Sequence, residues 1–248
     1  MIGVGEIGGV LARGLLRLGY PVFPITRGMS LSDAASELDD PLAVFVAVAE
    51  PDLHSVLGMM PDAWRDRVVL LQNELLPRDW EQYGYRKPTV ISIWFEKKPG
   101  QDAKVLLTSP VFGPRADLVV DALQAVGIPA RAVNNADDML FELVRKNVYI
   151  LTTNIAGLEC RGTVAELWGH HRKLATAVAD DVMDIQDWLT GQENDRRRLI
   201  DGMAEAVAGD PEHKCMGRSA PARLERALAV ADEADLSVPK LREIHAQA

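Results

Sequence analysis

Three glycines near the start of the chain have the spacing of a phosphate-binding turn. Residues 3–8, GVGEIG, fit the pattern G-x-G-x-x-G and lie between an apolar start and a helical segment. In such turns Gly3 permits the tight bend, Gly5 lets the backbone approach a pyrophosphate, and Gly8 lets the helix pack closely on the sheet. The helix N-terminus adds unpaired N–H groups and a partial positive charge. The predicted dinucleotide contacts are Gly3, Gly5, Glu6, Ile7 and Gly8, and a glycine-rich turn without a ligand remains the alternative.

The end of the predicted second strand bears on which dinucleotide would bind. NAD sites carry an Asp or Glu there for the ribose 2′-hydroxyl, about 20 residues past the glycines. Here the strand ends at Thr26 and Arg27, and the next carboxylate is Asp33. A guanidinium forms charge-assisted hydrogen bonds with a 2′-phosphate, whereas a carboxylate repels it. We therefore predict NADP(H) as the cofactor, with Thr26 and Arg27 in the site. The alternative is a solvated surface arginine.

The elements that must position these residues alternate in type through the first half of the chain. Short apolar runs and amphipathic segments follow one another, as in βαβ units around a parallel sheet. Only Met1 and Ile2 precede Gly3, so the first strand is expected to be short. Further strands are predicted at 22–26, 42–48, 68–72, 90–95 and 104–108, and helices at 6–18, 32–38, 51–60 and 116–126.

The second half differs in composition and pattern, because strand-like runs disappear and Ala, Leu, Glu and Arg dominate. Helices are predicted at 138–158, 164–189 and 223–235, with a Gly- and Pro-rich loop at 208–221. The change falls near 134–137. The predicted fold is a Rossmann-type α/β domain with a mainly parallel sheet (1–135), followed by an all-α domain (136–248) for substrate binding and dimerisation.

Composition excludes several classes of partner. The 27 Lys plus Arg against 36 Asp plus Glu give a formal charge of -9, so no bulk positive field gathers nucleic acid or anionic lipid. No apolar run reaches the roughly 18 residues that a membrane helix needs. Cys160 and Cys215 are far apart in the sequence and match neither a zinc ligand pair nor a redox dithiol. They are interpreted as reduced thiols of a cytoplasmic protein that holds no metal.

Further segments carry a resemblance to a known family. Together with the glycines and Arg27, the chain resembles the ketopantoate reductases, in the wider group whose Rossmann domain is followed by a helical domain like that of 6-phosphogluconate dehydrogenase. The matching segments are Gln72-Asn73, Phe112-Gly113, residues 138–146 (DMLFELVRK), Asn154 and Val238-Pro239.

The resemblance implies hydride transfer from NADPH to a 2-oxo acid. Lys146 then corresponds to the lysine that protonates the new alkoxide, Asn73 to the asparagine beside the nicotinamide, and Asn154 to one that contacts the substrate. An ammonium group beside a carbonyl both polarises it and supplies a proton. Asn154 lies about 80° around an ideal helix from Lys146, so both side chains can border one cleft. The alternative is that Lys146 belongs to a run of surface charge with Glu142 and Arg145.

Three departures from the family argue against ketopantoate as the substrate. Ile150 replaces an asparagine, Glu50 replaces a lysine, and a glutamate expected in the helical domain has no counterpart, since Glu225 is out of register. These changes remove a cation and a hydrogen-bonding group that would hold an α-keto carboxylate. A different anion site could come from His213, Lys214 and Arg218, although a solvated loop is the alternative.

Two functions from different classes follow. The first is an NADP(H)-dependent oxidoreductase acting on a small carbonyl compound (2-oxo-acid-like) or imine other than ketopantoate. The second is a dinucleotide-binding protein without turnover, acting as a sensor or a subunit. The apolar helical half is also compatible with a homodimer.

Overall fold

The computed structural model of the chain describes residues 1–38 and 40–247, and its contacts divide it into two compact units, Met1–Leu143 and Val144–Ala248. The strands, all in the first unit, are β1 (Val44–Val46), β2 (Val68–Leu70), β3 (Thr89–Ile91), β4 (Phe95–Glu96), β5 (Lys104–Val105), β6 (Ser109–Phe112) and β7 (Ala130–Ala132). The helices are α1 (Glu6–Arg17), α2 (Leu31–Glu37), α3 (Leu53–Gly58), α4 (Pro77–Glu81), α5 (Ala116–Gln124), α6 (Ala136–Cys160), α7 (Val164–His170), α8 (Arg172–Thr190), α9 (Arg196–Gly209), α10 (Ala220–Glu233) and α11 (Pro239–Gln247), with 3₁₀ turns at Glu50–Asp52 and Asp62–Arg67.

The main sheet is parallel apart from one strand pair. Its order is β1-β2-β3-β6-β7, and only the pair β3–β6 is antiparallel. Ile2 forms parallel bridges to Val46 on one side and to Ile25 on the other, which extends the sheet beyond β1. The chain order therefore reverses at Ile2, and in such sheets ligands bind outside the carboxyl ends of the strands at the reversal. The predicted class, a mainly parallel α/β part followed by helices, is confirmed.

Helix α1 packs on this sheet through residues at helical spacing. Val10, Leu11 and Leu15 are buried and belong to the same apolar cluster as Phe45 of β1. At Gly14 an added Cβ would collide with the backbone of α5, so this glycine allows the two helices to lie close together. The helix that follows the glycine turn is thus held rigidly, and burial of each large side chain contributes roughly 1.5–3 kcal/mol.

The strand expected before Gly3 is represented only by the bridges of Ile2. An apolar cavity of about 440 Å³ lies next to Met1. Met1, Phe23, Leu42 and Phe45 contribute to its lining, and among the described lining residues Tyr20 and Asp40 are the polar exceptions. The cavity brings together few polar groups of the kind that orient a substrate. It does not include the glycine turn.

Several elements of the first unit differ from the predicted ones. Lys104–Val105 does not join the main sheet, because it pairs antiparallel with β4 in a separate two-stranded ribbon. The strands β6 and β7 were not predicted. Pro110 lies inside β6, where proline normally argues against a strand, and β7 has the short sequence Ala-Arg-Ala without an apolar run.

The second unit contains helices, and its predicted loop is confirmed between α9 and α10. The single helix predicted at 164–189 is wrong, because the chain leaves helical geometry at His171, after Gly169 in the last turn of α7. Helices α9 and α11 were not predicted. An aspartate side chain accepts N–H groups at the start of each helix: Asp195 caps α9, and the buried Asp181 of α8 accepts the N–H groups of Lys240 and Leu241 in α11. Among the described residues, none of these helices combines the length and apolar character needed to cross a lipid bilayer.

Candidate functional site

The three glycines of the turn differ in the space around them. Gly3 has a φ of +84°, and a Cβ there would lie 2.6 Å from the carbonyl oxygen of Ala47. A Cβ at Gly8 would collide with the carbonyl oxygen of Gly3, so α1 lies directly on the turn. At Gly5, the N-cap of α1, a Cβ would meet nothing within 4 Å. The requirement for glycine at Gly5 therefore does not come from the fold, and the open space above it fits an approaching phosphate group.

Glu6 and Ile7 continue from the turn into the first turn of α1. The side chain of Ile7 packs against the core cluster, so its contribution to a ligand is limited to its backbone. The Oε2 atom of Glu6 lies 2.8 Å from Nζ of Lys97, whose side chain is only 13% exposed. Lys97 follows β4 and has no sequence motif around it. This lysine offsets a carboxylate that would otherwise oppose an anion at the helix N-terminus.

Thr26 and Arg27 follow the bridge residue Ile25, at the same edge of the sheet as the glycine turn. The Arg27 side chain is 95% exposed, and its Nη2 atom lies 3.4 Å from Oδ2 of Asp52. Thr26 is also exposed, and its N–H group faces the sulfur of Met29 at 3.3 Å. The guanidinium is therefore accessible to a phosphate group, and Asp52 is a weakly held partner that such a group would replace.

Asn73 and Glu50 lie next to each other after the strands β2 and β1. The Nδ2 atom of Asn73 donates a hydrogen bond of 2.8 Å to Oε1 of Glu50. The neighbouring Gln72 is fixed by the backbone, since its Nε2 atom donates to the carbonyl oxygens of Val46 and Val48. The structure thus joins the predicted nicotinamide asparagine to the acidic residue that replaces the family lysine.

In α6, the interpretation of residues 142–146 as a surface charge run is wrong. Glu142, Arg145 and Lys146 are 6%, 9% and 5% exposed. Glu142 accepts a hydrogen bond of 2.6 Å from Arg131, and Arg145 donates to the carbonyl oxygen of Gly202 and to Glu205. A buried charge requires ion pairs or hydrogen bonds, and long helical side chains are buried only where tertiary packing covers them. Lys146 is therefore part of the interior rather than of a solvated face.

Asn154 lies two turns beyond Lys146, and its amide group is held within the second unit. Its Oδ1 atom accepts hydrogen bonds from Nη1 of Arg223 at 3.0 Å and from the N–H of Gly217 at 3.4 Å. Its Nδ2 atom donates to the carbonyl oxygen of Ile150. Asn147 donates to Gln186 and has a packing role. The side chain oxygen that was expected to orient a substrate thus contacts Arg223, a buried residue that the sequence did not single out.

The loop between α9 and α10 was considered as an anion site. Nδ1 of His213 lies 3.5 Å from Oδ2 of the buried Asp210, and Lys214 forms a β-bridge with Thr163. Arg218 is exposed. None of these contacts joins one of the three residues to another, so the structure gives no evidence that they form a shared anion site. Across residues 1–38 and 40–247, no group of three or more His, Cys, Asp or Glu side chains could hold a metal ion.

No protein-family model and no curated protein sequence matches the chain. Solved structures with similar folds include a probable 2-dehydropantoate 2-reductase from Bacillus subtilis, with a TM-score of 0.69, 16% identity, and coverage of 99% of this chain and 97% of that one. A dimeric ketopantoate reductase from Staphylococcus aureus has a TM-score of 0.64 and 17% identity, with 99% and 95% covered. A complex of D-mandelate dehydrogenase with NADH has a TM-score of 0.66 and 15% identity, with 99% and 97% covered.

Each alignment covers nearly all of this chain and nearly all of the similar structure, so the similarity extends over both the α/β part and the helices. The identities are low, and the similarity therefore concerns the fold and not the reaction. The resemblance read from the sequence is confirmed at that level: the chain has the fold of the ketopantoate reductases.

Proposed function

We propose that this protein is an NADP(H)-dependent oxidoreductase that reduces a small 2-oxo-acid-like carbonyl or imine compound other than ketopantoate. The observation that carries the proposal is the glycine turn. Gly3 and Gly8 are required by the fold, whereas Gly5 faces open space at the N-terminus of α1. A turn with no ligand has no need of glycine at that position. Backbone N–H groups at a helix N-terminus are a standard site for a pyrophosphate.

Arg27 supports NADP(H) over NAD. Its guanidinium is exposed at the sheet edge that carries the glycine turn, and Asp52 holds it only loosely, at 3.4 Å. A 2′-phosphate offers a doubly charged, three-oxygen acceptor that forms stronger hydrogen bonds than one exposed carboxylate. The solved complex of D-mandelate dehydrogenase contains NADH, so the fold alone does not imply NADP(H), and the proposal depends on Arg27.

Lys146 is the proposed proton donor to the reduced substrate. When bound, a nicotinamide dinucleotide supplies the hydride. Lys146 is 5% exposed, so its ammonium group polarises a carbonyl oxygen in surroundings where the interaction is weakly screened by water. The proton then passes from Nζ to the oxygen that gains negative charge.

The contacts of the two asparagines support a substrate other than ketopantoate. Asn73 donates to Glu50, and the Oδ1 atom of Asn154 accepts from Arg223. Ile150 provides no hydrogen bond to a substrate. A site built to hold one substrate by specific hydrogen bonds rejects it when those groups change, commonly by several kcal/mol.

The second candidate function is dinucleotide binding without turnover. The observation that favours it is that Asn154 is engaged by Arg223, Gly217 and Ile150 within its own unit. A role as sensor or subunit requires the glycine turn but no substrate contacts. A homodimer and a cytoplasmic location stay predictions; the similar reductase from Staphylococcus aureus is described as dimeric.

One experiment separates these functions. The purified protein is titrated with NADPH and with NADH by calorimetry, and NADPH oxidation is then followed at 340 nm with a panel of 2-oxo acids and cyclic imines. If the protein is the proposed oxidoreductase, it should bind NADPH more tightly than NADH and oxidise NADPH in the presence of a substrate, with ketopantoate a poor substrate. Binding without oxidation across the panel would support the non-catalytic role, and failure to bind either dinucleotide would refute both.

A further inference from the structure

The two cysteines of the chain, distant in the sequence, are neighbours in the second unit. Cys160 is the last residue of α6, and Cys215 lies in the loop between α9 and α10. Each thiol is among the groups that shift the pKa of the other, and the Cys160 thiol donates to the carbonyl oxygen of Arg161 at 3.3 Å. Both cysteines are free, as expected from the sequence, but the loop brings Cys215 back to the end of the helix that carries Cys160.

Backbone packing fixes this approach. The N–H group of Cys215 donates to the carbonyl oxygen of Gly162 at 3.1 Å. A Cβ added to Gly157 would lie 2.8 Å from Cβ of Cys215, so the loop rests directly on α6 at this glycine. Residues 157 and 160 are three apart and share one face of the helix. The position of Cys215 beside the end of α6 thus follows from the path of the main chain.

The two thiols differ in their access to solvent. Cys215 is 1% exposed, whereas Cys160 is only partly buried at the end of its helix. An external reagent can therefore reach Cys160, and Cys215 can react only with a group already beside it. This is the arrangement of an attacking cysteine with a sheltered resolving cysteine.

We propose that Cys160 and Cys215 form a reversible redox site that closes to an intramolecular disulfide when the protein meets an oxidised low-molecular-weight disulfide such as oxidised glutathione. The thiolate of Cys160 attacks one glutathione sulfur, forming a mixed disulfide and releasing one reduced glutathione. The thiolate of Cys215 then attacks the Cys160 sulfur and releases the second. Two protein thiols are oxidised and one glutathione disulfide is reduced to two thiols, so atoms and electrons balance.

The disulfide would restrain the segment that contacts Asn154. Gly217, two residues after Cys215, donates its N–H group to Oδ1 of Asn154, and Arg223 donates to the same atom. Closing the pair ties this loop to the end of α6. It also closes a ring of roughly 55 residues, which restricts the unfolded chain.

The surroundings set the speed of the reaction. Burial raises the pKa of Cys160 and raises that of Cys215 to about 12. Nearby charges are those of Glu159 on α6, Glu166 on α7 and Lys214 in the loop; the two carboxylates raise the thiol pKa values, and the lysine lowers that of Cys215. The thiolate is thus the minor form at neutral pH, and its fraction rises about tenfold per pH unit below the pKa. The site responds slowly to thiol–disulfide balance and is not a fast peroxide sensor.

The test uses the whole reduced protein and oxidised glutathione. After incubation at pH 7, 8 and 9, free thiols are blocked with N-ethylmaleimide and the intact mass is measured. The expected product has lost two hydrogen atoms, carries no glutathione and no maleimide, migrates as a single chain without reductant, and reverts with dithiothreitol. Its melting temperature should rise by on the order of 10 °C. The rate should increase roughly tenfold per pH unit. Stable glutathione adducts on both cysteines, or disulfide-linked pairs of chains, would overturn the proposal.

Two matched variants test the order of attack. Cys215→Ser should stop at one glutathione on Cys160, because the resolving thiol is missing. Cys160→Ser should stay unmodified for as long as the protein remains folded, because Cys215 is buried. Equal rates of modification in the two variants would contradict the assigned roles. If either variant folds poorly, the mass measurement on the wild-type protein still tests disulfide formation. Neither experiment depends on NADPH binding or turnover, so its outcome is independent of the proposed function.

Discussion

The candidate site of the first unit depends on backbone groups, whereas that of the second unit depends on side chains. In the first unit the glycine turn acts through backbone geometry, because Gly3 and Gly8 have no room for a side chain and Gly5 faces open space. In the second unit the roles proposed for Lys146 and Asn154 depend on side chains whose surroundings come from other helices. The spacing of glycines by itself predicts a backbone geometry. The position of a lysine in a helical pattern does not predict whether its side chain is buried. The first site was therefore readable without family knowledge, and the second was not.

A second contrast concerns charge. Asn73 of the first unit donates to an acidic residue, Glu50, and Asn154 of the second unit accepts from a basic one, Arg223. Each asparagine was predicted as a site residue from the resemblance, but its hydrogen-bonding partner is a charged side chain of this chain. An amide in such a pair has less capacity to bind an additional group. The residue type at a position thus does not by itself determine the contacts of its side chain.

The largest expected effect comes from Lys146. Lys146→Met keeps an apolar stem in a buried position and removes the ammonium group, so turnover should fall by about 10²- to 10⁴-fold while NADPH affinity changes by less than about twofold. Steady-state kinetics and calorimetry measure the two quantities. Lys173→Met, at an exposed position of α8, is the matched control and should behave like wild type. If a folded Lys146→Met variant kept full turnover, Lys146 would not be the proton donor, and only the glycine turn would remain as a candidate site.

Three glycine substitutions test the backbone site. Gly5→Ala should weaken NADPH binding by at least about tenfold without lowering the melting temperature, because its methyl group meets no protein atom but enters the space left for the pyrophosphate. Gly8→Ala should destabilise the fold by about 1–3 kcal/mol through overpacking. Gly9→Ala, a helical position with no neighbour within 4 Å, should stabilise by roughly 0.5–1 kcal/mol and leave binding unchanged. If Gly5→Ala binds NADPH as wild type does, the turn holds no dinucleotide.

The smallest expected effect concerns the choice of cofactor. Arg27→Gln should weaken NADPH binding by about three- to tenfold and leave NADH binding unchanged, since an exposed charge pair is largely screened. Asp52→Asn should tighten NADPH binding a few-fold by removing a competing carboxylate. Arg13→Gln, on the exposed face of α1, controls for net charge. Equal losses for NADPH and NADH in Arg27→Gln would mean that this arginine does not read the 2′-phosphate.

Local patterns predicted much of the fold. The helices after the glycine turn, at 116–126 and at 138–158 were found within a few residues, because each carries apolar residues at helical spacing. The strand β6 was missed because Pro110 contradicts the usual strand pattern, and the break at His171 because amphipathic spacing continues across it. These errors occur where pairing partners or chain path outweigh local preference.

By itself, the sequence determined the α/β character of the first half, the glycine turn before α1, the change to a helical second half and the resemblance to ketopantoate reductases. Tertiary structure decided that Glu142, Arg145 and Lys146 are buried, that Asn73 contacts Glu50 and Asn154 contacts Arg223, and that Cys160 meets Cys215. Spacing along a chain records which residues share a face of one element. The partner of that face belongs to a segment distant in sequence, and only packing brings the two together.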